Sequence, residues 1–174
     1  VEERGNPEHR VLHGSHLFPN GDVLFNAQYT GTVRMDACGD VRWRLPAGGH
    51  HSVARAEDGT FWISGLAEGS RTTSTQYPDG YPGLDDPVWI EQLHHVSADG
   101  TLLERINVLD ILYANDLERY IVKAWQPQTG ADQPRAKDLT HLNDVEPLPS
   151  SMADEYPLFE AGDLVVSLRK LSLV

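Results

Sequence analysis

Two stretches decide how this sequence is read: His13-Gly-Ser-His-Leu-Phe-Pro-Asn-Gly-Asp-Val-Leu-Phe-Asn26 and, 38 residues later, His51-Ser-Val-Ala-Arg-Ala-Glu-Asp-Gly-Thr-Phe-Trp-Ile-Ser64. In each, a histidine stands eight residues before a turn glycine, Gly21 or Gly59. Each stretch reads as a strand, an Asn-Gly or Asp-Gly turn whose glycine supplies positive φ, and a second strand. A third copy opens at His141-Leu-Asn-Asp-Val145 and resumes at Ala161-Gly-Asp-Leu-Val-Val-Ser167. Its turn is expanded to 21 residues between His141 and Gly162, an excess of 13, and the added segment, residues 149–160, reads as a polar loop or short helix. Ser167 then aligns with Ser64 and Asn26.

A second kind of hairpin follows the first. Val33-Arg-Met-Asp-Ala-Cys-Gly-Asp-Val-Arg-Trp43 has its counterpart in Leu93-His-His-Val-Ser-Ala-Asp-Gly-Thr-Leu-Leu103, each with a glycine at the turn. One unit is thus four strands in meander order, near 11–18, 21–27, 30–36 and 40–45. The next uses about 50–56, 60–66, 88–97 and 101–106, with a loop rich in Gly, Ser, Thr, Asp and Pro at 67–87. Four-stranded units recurring at about 40 to 50 residues are the pattern of β-propeller blades.

The expected fold is therefore all-β, a propeller with blades at 11–45 and 50–106, an insertion at 107–138 and half a blade at 139–174. In the insertion, Leu109, Leu112, Tyr113, Leu117, Tyr120, Ile121 and Ala124 fall at helical spacings. One amphipathic helix over about 107–124, or two short ones split at Asn115-Asp116, is expected to cover a blade. Closed propellers need about four to eight blades, so residues 1–174 read as about two and a half blades of a longer protein. The absence of an initiator Met points the same way.

The bulk properties exclude several classes. Lys plus Arg is 14 against 26 Asp plus Glu, a net charge of −12, which repels nucleic-acid phosphates and anionic lipid. The single cysteine, Cys38, allows neither an intrachain disulfide nor a thiolate zinc site. No apolar run approaches the roughly 18 residues of a membrane span, the first residues, Val1 to Pro7, hold no apolar core of a secretory leader, and no Asn-x-Ser/Thr sequon occurs.

The first strand of each blade lines the axis of a propeller, so polar groups at the starts of those strands converge. Here they are His13, His50, His51, His141 and Asn143, a set able to move protons, attack as a nucleophile or bind metal. Strand alternation limits the set: His13 and His16 should face opposite ways, and so should His50 and His51. His94 and His95 read as surface or interblade residues. The spacing imposes no metal site. Arg169, after the apolar run Leu164-Val-Val-Ser-Leu168, is placed to bind a tetrahedral oxyanion bidentately or to form an interblade salt bridge.

The blade His141-Leu-Asn-Asp-Val145 … Phe159-Glu-Ala-Gly-Asp-Leu-Val-Val-Ser-Leu-Arg169 resembles the His-x-Asn-(Ser/Asp)-Val … Asp-x-(apolar)-x-Ser-x-Arg blade of the bacterial arylsulfotransferases and their arylsulfotransferase-like relatives. His50-His51-Ser-Val followed by Asp58-Gly-Thr-Phe-Trp resembles an earlier histidine-containing blade of that family. The resemblance implies a six-bladed propeller that moves a sulfuryl group from a phenolic sulfate ester to a phenol through a sulfohistidine. It also implies that His141 and Arg169 are catalytic and surround the sulfate, with His50, His51 and Asn143 binding substrate. The family's nucleophilic histidine belongs to a later blade, outside these residues. The partners implied are small aryl sulfates and phenols, with no cofactor, no metal, no nucleic acid and no membrane contact, in an extracytoplasmic or periplasmic setting. The alternative is a non-catalytic propeller of the same family that binds a ligand or protein.

Overall fold

The computed structural model describes residues 11–124 and 138–174. Alternating apolar and polar residues on either side of tight turns produce short antiparallel strands, and these assemble into three sheets. The first is β1 (Leu12–Leu17), β2 (Val23–Ala27), β3 (Gly31–Met35) and β4 (Val41–Leu45), hydrogen-bonded in sequence order. The second repeats that order with β5 (Gly49–Arg55), β6 (Phe61–Arg71), β7 (Val88–Val96) and β8 (Leu102–Asn107). The third pairs β9 (Leu142–Pro147) with β10 (Leu164–Leu168). All three are antiparallel and open.

The turns work as their glycines require. Gly21 and Gly59 adopt φ of +86° and +87°, and each donates its N–H to the carbonyl three residues back, Phe18 or Ala56. The strands end within one or two residues of expectation except β6, which continues to Arg71. A bulge after Leu66 lets Ser70 and Arg71 resume pairing with Trp89 and Val88, so the connecting loop is residues 72–87. It is tied down by Tyr81 and Ser74, whose hydroxyls each donate to Asp110 Oδ1 at 2.6 Å.

Two apolar layers hold the sheets face to face. Phe18, Leu24, Leu45, Val53, Phe61, Ile63 and Val96 fill the space between the first and second sheets. Ile90, Leu93, Leu142, Val145 and Leu168 join the second to the third. Burying each such side chain contributes roughly 1.5–3 kcal/mol relative to leaving it exposed. The helical insertion is two short helices, α1 (Val108–Ala114) and α2 (Arg119–Ala124). They are split where Asp116 takes a left-handed φ of +56° and Leu117 N–H turns back to Leu112 O at 2.8 Å. Val108, Leu109 and Leu112 face the second core, so α1 covers the second sheet. The side chain of Ala124 and residues 125–137, the rest of the expected insertion, lie outside the described residues. In the expanded turn, α3 (Ser150–Ala153) is a single helical turn.

His94 departs from the surface reading. It is wholly buried on β7, its ring lying against Gly65, where a Cβ would come within 2.2 Å of the imidazole Cε1. His95, on the other face, stacks on Trp62 with ring centroids 4.3 Å apart.

Candidate functional site

The opening strand of every sheet is irregular. On β1, Leu12 pairs with Ala27 but Ser15 with Phe25; on β5, Gly49 pairs with Gly65 but Val53 with Ile63; on β9, Leu142 pairs with Leu168 but Asp144 with Ser167. The first strand carries extra, unpaired residues in each case, a bulge that re-aims side chains. The bulges contain His13, His50 to Ser52, and Asn143, and His141 directly precedes the third. Both His51 and His141 sit at φ of +52°, a left-handed conformation that costs a non-glycine residue on the order of 1–3 kcal/mol and persists where its surroundings over-determine it.

Those surroundings are specific. Asn26, wholly buried on β2, donates its amide to the carbonyls of His50, His51 and Ser52 at 3.3, 3.1 and 3.1 Å. Its Oδ1 accepts from Thr32 Oγ1 at 2.5 Å. Ser64, which aligns with Asn26, bonds Ser52 Oγ at 2.8 Å, and that hydroxyl also meets the Val145 N–H at 3.0 Å. One sheet thus holds the opening strand of the next. Around His141, the buried Glu91 accepts from the Leu142 N–H at 2.7 Å and from the Thr140 hydroxyl. The Arg169 N–H closes the other side on His141 O at 3.0 Å. Close approach of β1 to β5 depends on Gly14, where a Cβ would fall 2.4 Å from His51 O.

The result is a row of three imidazoles, one from each sheet. His13 Nδ1 lies 3.2 Å from His51 Nδ1, and His51 Nε2 lies 3.1 Å from His141 Nε2. His141 Nδ1 lies 2.5 Å from Asp138 Oδ2. Lys170 reaches the same carboxylate at 3.3 Å and donates to Asp138 O at 2.6 Å. Burial, and after it the neighbouring His50, His13, His141 and Arg169, hold the His51 imidazole down to about 4, so it is neutral at physiological pH. Arg169 is exposed, with Nη2 3.4 Å from His141 Nδ1. Among the described residues it pairs with no carboxylate, so its guanidinium is open to an anion.

The remaining expected residues divide. His51, His141 and Arg169 meet. His50 is buried, its Nε2 3.3 Å from Glu91 Oε1 without hydrogen-bond alignment. Simple alternation does not separate it from His51: the left-handed residue brings their rings to 4.9 Å at an angle of 68°. Asn143 lies half-buried in the β9 bulge, and no described residue hydrogen-bonds its side chain. His16 turns away from the row and packs edge-on against Phe18 at 4.7 Å. Among the described residues, no group of three or more His, Cys, Asp or Glu is arranged to hold a metal ion.

Sequence reasoning missed Asp138, Glu91 and the part played by Asn26. Asp138 carried a signal, a carboxylate three residues before a candidate histidine. Glu91 carried none, because it comes from β7 of a different sheet. The alignment marked Asn26 as a repeat position but could not show that its amide reaches into the next sheet.

The family model described as arylsulfotransferase (ASST) matches residues 14–174, and no curated protein matches the chain. That match runs through all three sheets, both clamped histidines and Arg169, and the chain accordingly belongs to the arylsulfotransferase (ASST) family.

Proposed function

We propose that this chain supplies the sulfate-facing wall of an aryl sulfate sulfotransferase, and that its three sheets are blades of a larger β-propeller. The observation that carries the reading is the exposed Arg169 guanidinium, which pairs with no carboxylate among the described residues, beside the strained His51–His141 pair. Two four-stranded meanders and a third hairpin, each with a bulged first strand at the same cluster, support the propeller.

The chemistry suits this set of groups. A sulfuryl group in transfer spreads negative charge over three equatorial oxygens, so it needs a fixed cation and aligned donors. Arg169 supplies the cation and His141, bound to Asp138, stands next to it. The donor is a phenolic sulfate ester and the acceptor a phenol. The sulfuryl group rests in between on a histidine from another blade. A net charge of −12 does not oppose this, because exposed charges more than about 10 Å away are screened at ordinary salt while Arg169 acts by contact. An extracytoplasmic setting belongs to the same proposal; among the described residues no helix is long and apolar enough to cross a membrane.

The test is transfer of sulfate from a chromogenic aryl sulfate to a phenol by the full-length protein. Arg169→Ala should lower the rate by roughly 10²–10³-fold, the cost of removing one oxyanion donor. Wild-type rates in both Arg169→Ala and His141→Ala would refute the assignment, and binding of an aryl sulfate without transfer would point to a non-catalytic receptor.

A further inference from the structure

The row of imidazoles has a direction. A carboxylate only accepts, so with Asp138 ionised the proton on His141 sits on Nδ1, and the neutral ring offers a lone pair at Nε2. His51 must then donate from its own Nε2, leaving Nδ1 to accept, and His13 must donate from Nδ1. The contacts that run from Asp138 to His13 are thereby each satisfied once, while the Arg169 Nη2, 3.4 Å from the protonated His141 Nδ1, lies beside that ring without donating to it; the row ends at His13 Nε2, which no described residue hydrogen-bonds. Both nitrogens of His141, in contrast, are engaged.

We propose, resting on the sulfotransferase reading above, that Asp138, His141, His51 and His13 form a proton relay in which His13 Nε2 is the atom that exchanges a proton with the aryl oxygen. Asp138 is the positioning residue that sets the tautomers. His51 is the conducting link, and His141 is where the positive charge rests.

The steps balance. When a phenol acceptor is deprotonated, its proton passes to His13 Nε2 and the Nδ1 proton of His13 moves to His51 Nδ1. The Nε2 proton of His51 then moves to His141 Nε2. The end state is a His141 imidazolium paired with the Asp138 carboxylate, with His51 and His13 again neutral in the opposite tautomers. An ester is cleaved from that charged end state: the S–O bonding pair goes to the aryl oxygen, which takes the proton from His13 Nε2. The row then shifts back, and the sulfuryl group passes to the nucleophile. Charge cannot stay on His51, which is desolvated and crowded by three other imidazoles and Arg169. It can stay on His141, 2.5 Å from a carboxylate. Lys170 lies 3.3 Å from the same carboxylate.

The backbone serves the same end. Asn26 holds the carbonyls of His50, His51 and Ser52, and Glu91 holds both neighbours of His141. The two rings at φ of +52° are therefore locked at relay distance before any substrate arrives.

Two measurements on the full-length protein decide it. In ¹⁵N spectra of ring-labelled histidines at pH 7.5, each assigned by its loss in the matching His→Asn variant, the neutral rings should carry the proton on Nδ1 in His141, Nε2 in His51 and Nδ1 in His13. Any other order overturns the relay. In kinetics, His13→Asn and Asp138→Asn should lower transfer from phenyl sulfate, whose leaving phenolate needs a proton, by roughly 10²-fold. Transfer from 4-nitrophenyl sulfate should fall less than about tenfold, with KM unchanged in both. Equal losses on the two donors, or none, would reject the relay. If the unaltered protein transfers from neither ester, the sulfotransferase reading fails by itself, and the spectra still decide the order of protons.

Discussion

Acid should destabilise this protein through its buried histidines, and His94 is one whose share a single substitution isolates. Its ring is wholly buried against Gly65, Nε2 lies 3.0 Å from Gln92 Oε1, and Nδ1 is buried without a partner among the described residues. Burial, with Arg105 and His50 adding repulsion, lowers its ionisation from 6.5 to about 4. The sign follows from where protons bind. Between those two values the unfolded chain protonates this imidazole and the folded one does not, so stability falls as pH drops from about 6.5 towards 4. At about 1.4 kcal/mol per unit, the loss from this residue is roughly 3 kcal/mol, a large part of the 5–15 kcal/mol that typically holds a domain together. Urea unfolding at pH values from 7.5 to 4.5, on the wild type and on His94→Gln, measures it. The variant keeps an amide able to donate to Gln92 but has nothing to titrate. His51 and His16, whose values are also lowered, remain in both proteins and cancel. The wild type should lose roughly 2.5 kcal/mol more than the variant across that range, and parallel curves would refute the reasoning.

Two further expectations concern the framework of the histidine row. Gly14→Ala places a Cβ within 2.4 Å of His51 O and 2.7 Å of Ser52 Cα, both backbone atoms. It should cost about 1–3 kcal/mol in urea unfolding and break the His13–His51 contact in ¹⁵N spectra while leaving His51–His141 intact. Asn26→Ala removes the bonds to three carbonyls and leaves the Thr32 hydroxyl without its acceptor. A loss of at least about 2 kcal/mol is expected, together with a shifted His51 signal; an unchanged signal would show that Asn26 does not hold the left-handed turn.

Much of the architecture was legible because its causes are local. The Asn20-Gly21 and Asp58-Gly59 turns, the alternation beside them and the 38-residue offset fixed where strands begin, and the apolar spacing from Leu109 to Ile121 announced one helix or two split at Asn115-Asp116, of which the structure has two. The reading was poorer where a neighbour in space decides. β6 outlasted its expected end because Trp89 and Val88 were available to pair with Ser70 and Arg71. His94 read as an ordinary polar residue of a strand, yet the absence of a side chain at Gly65 opened a buried slot for its ring.

By itself, then, the sequence determined the turn positions, the strand order within each sheet, the family, and the candidates His51, His141 and Arg169, since spacing and turn chemistry are properties of neighbours along the chain. Only the tertiary structure decided that His50 turns to Glu91 and His51 to His141. Only there does Asp138 complete the row and Arg169 remain open. The physical reason is that an unpaired residue in a bulge has no side-chain direction of its own. Asn26 and Glu91, reaching across from other strands, set that direction by taking up the backbone groups the bulge leaves free.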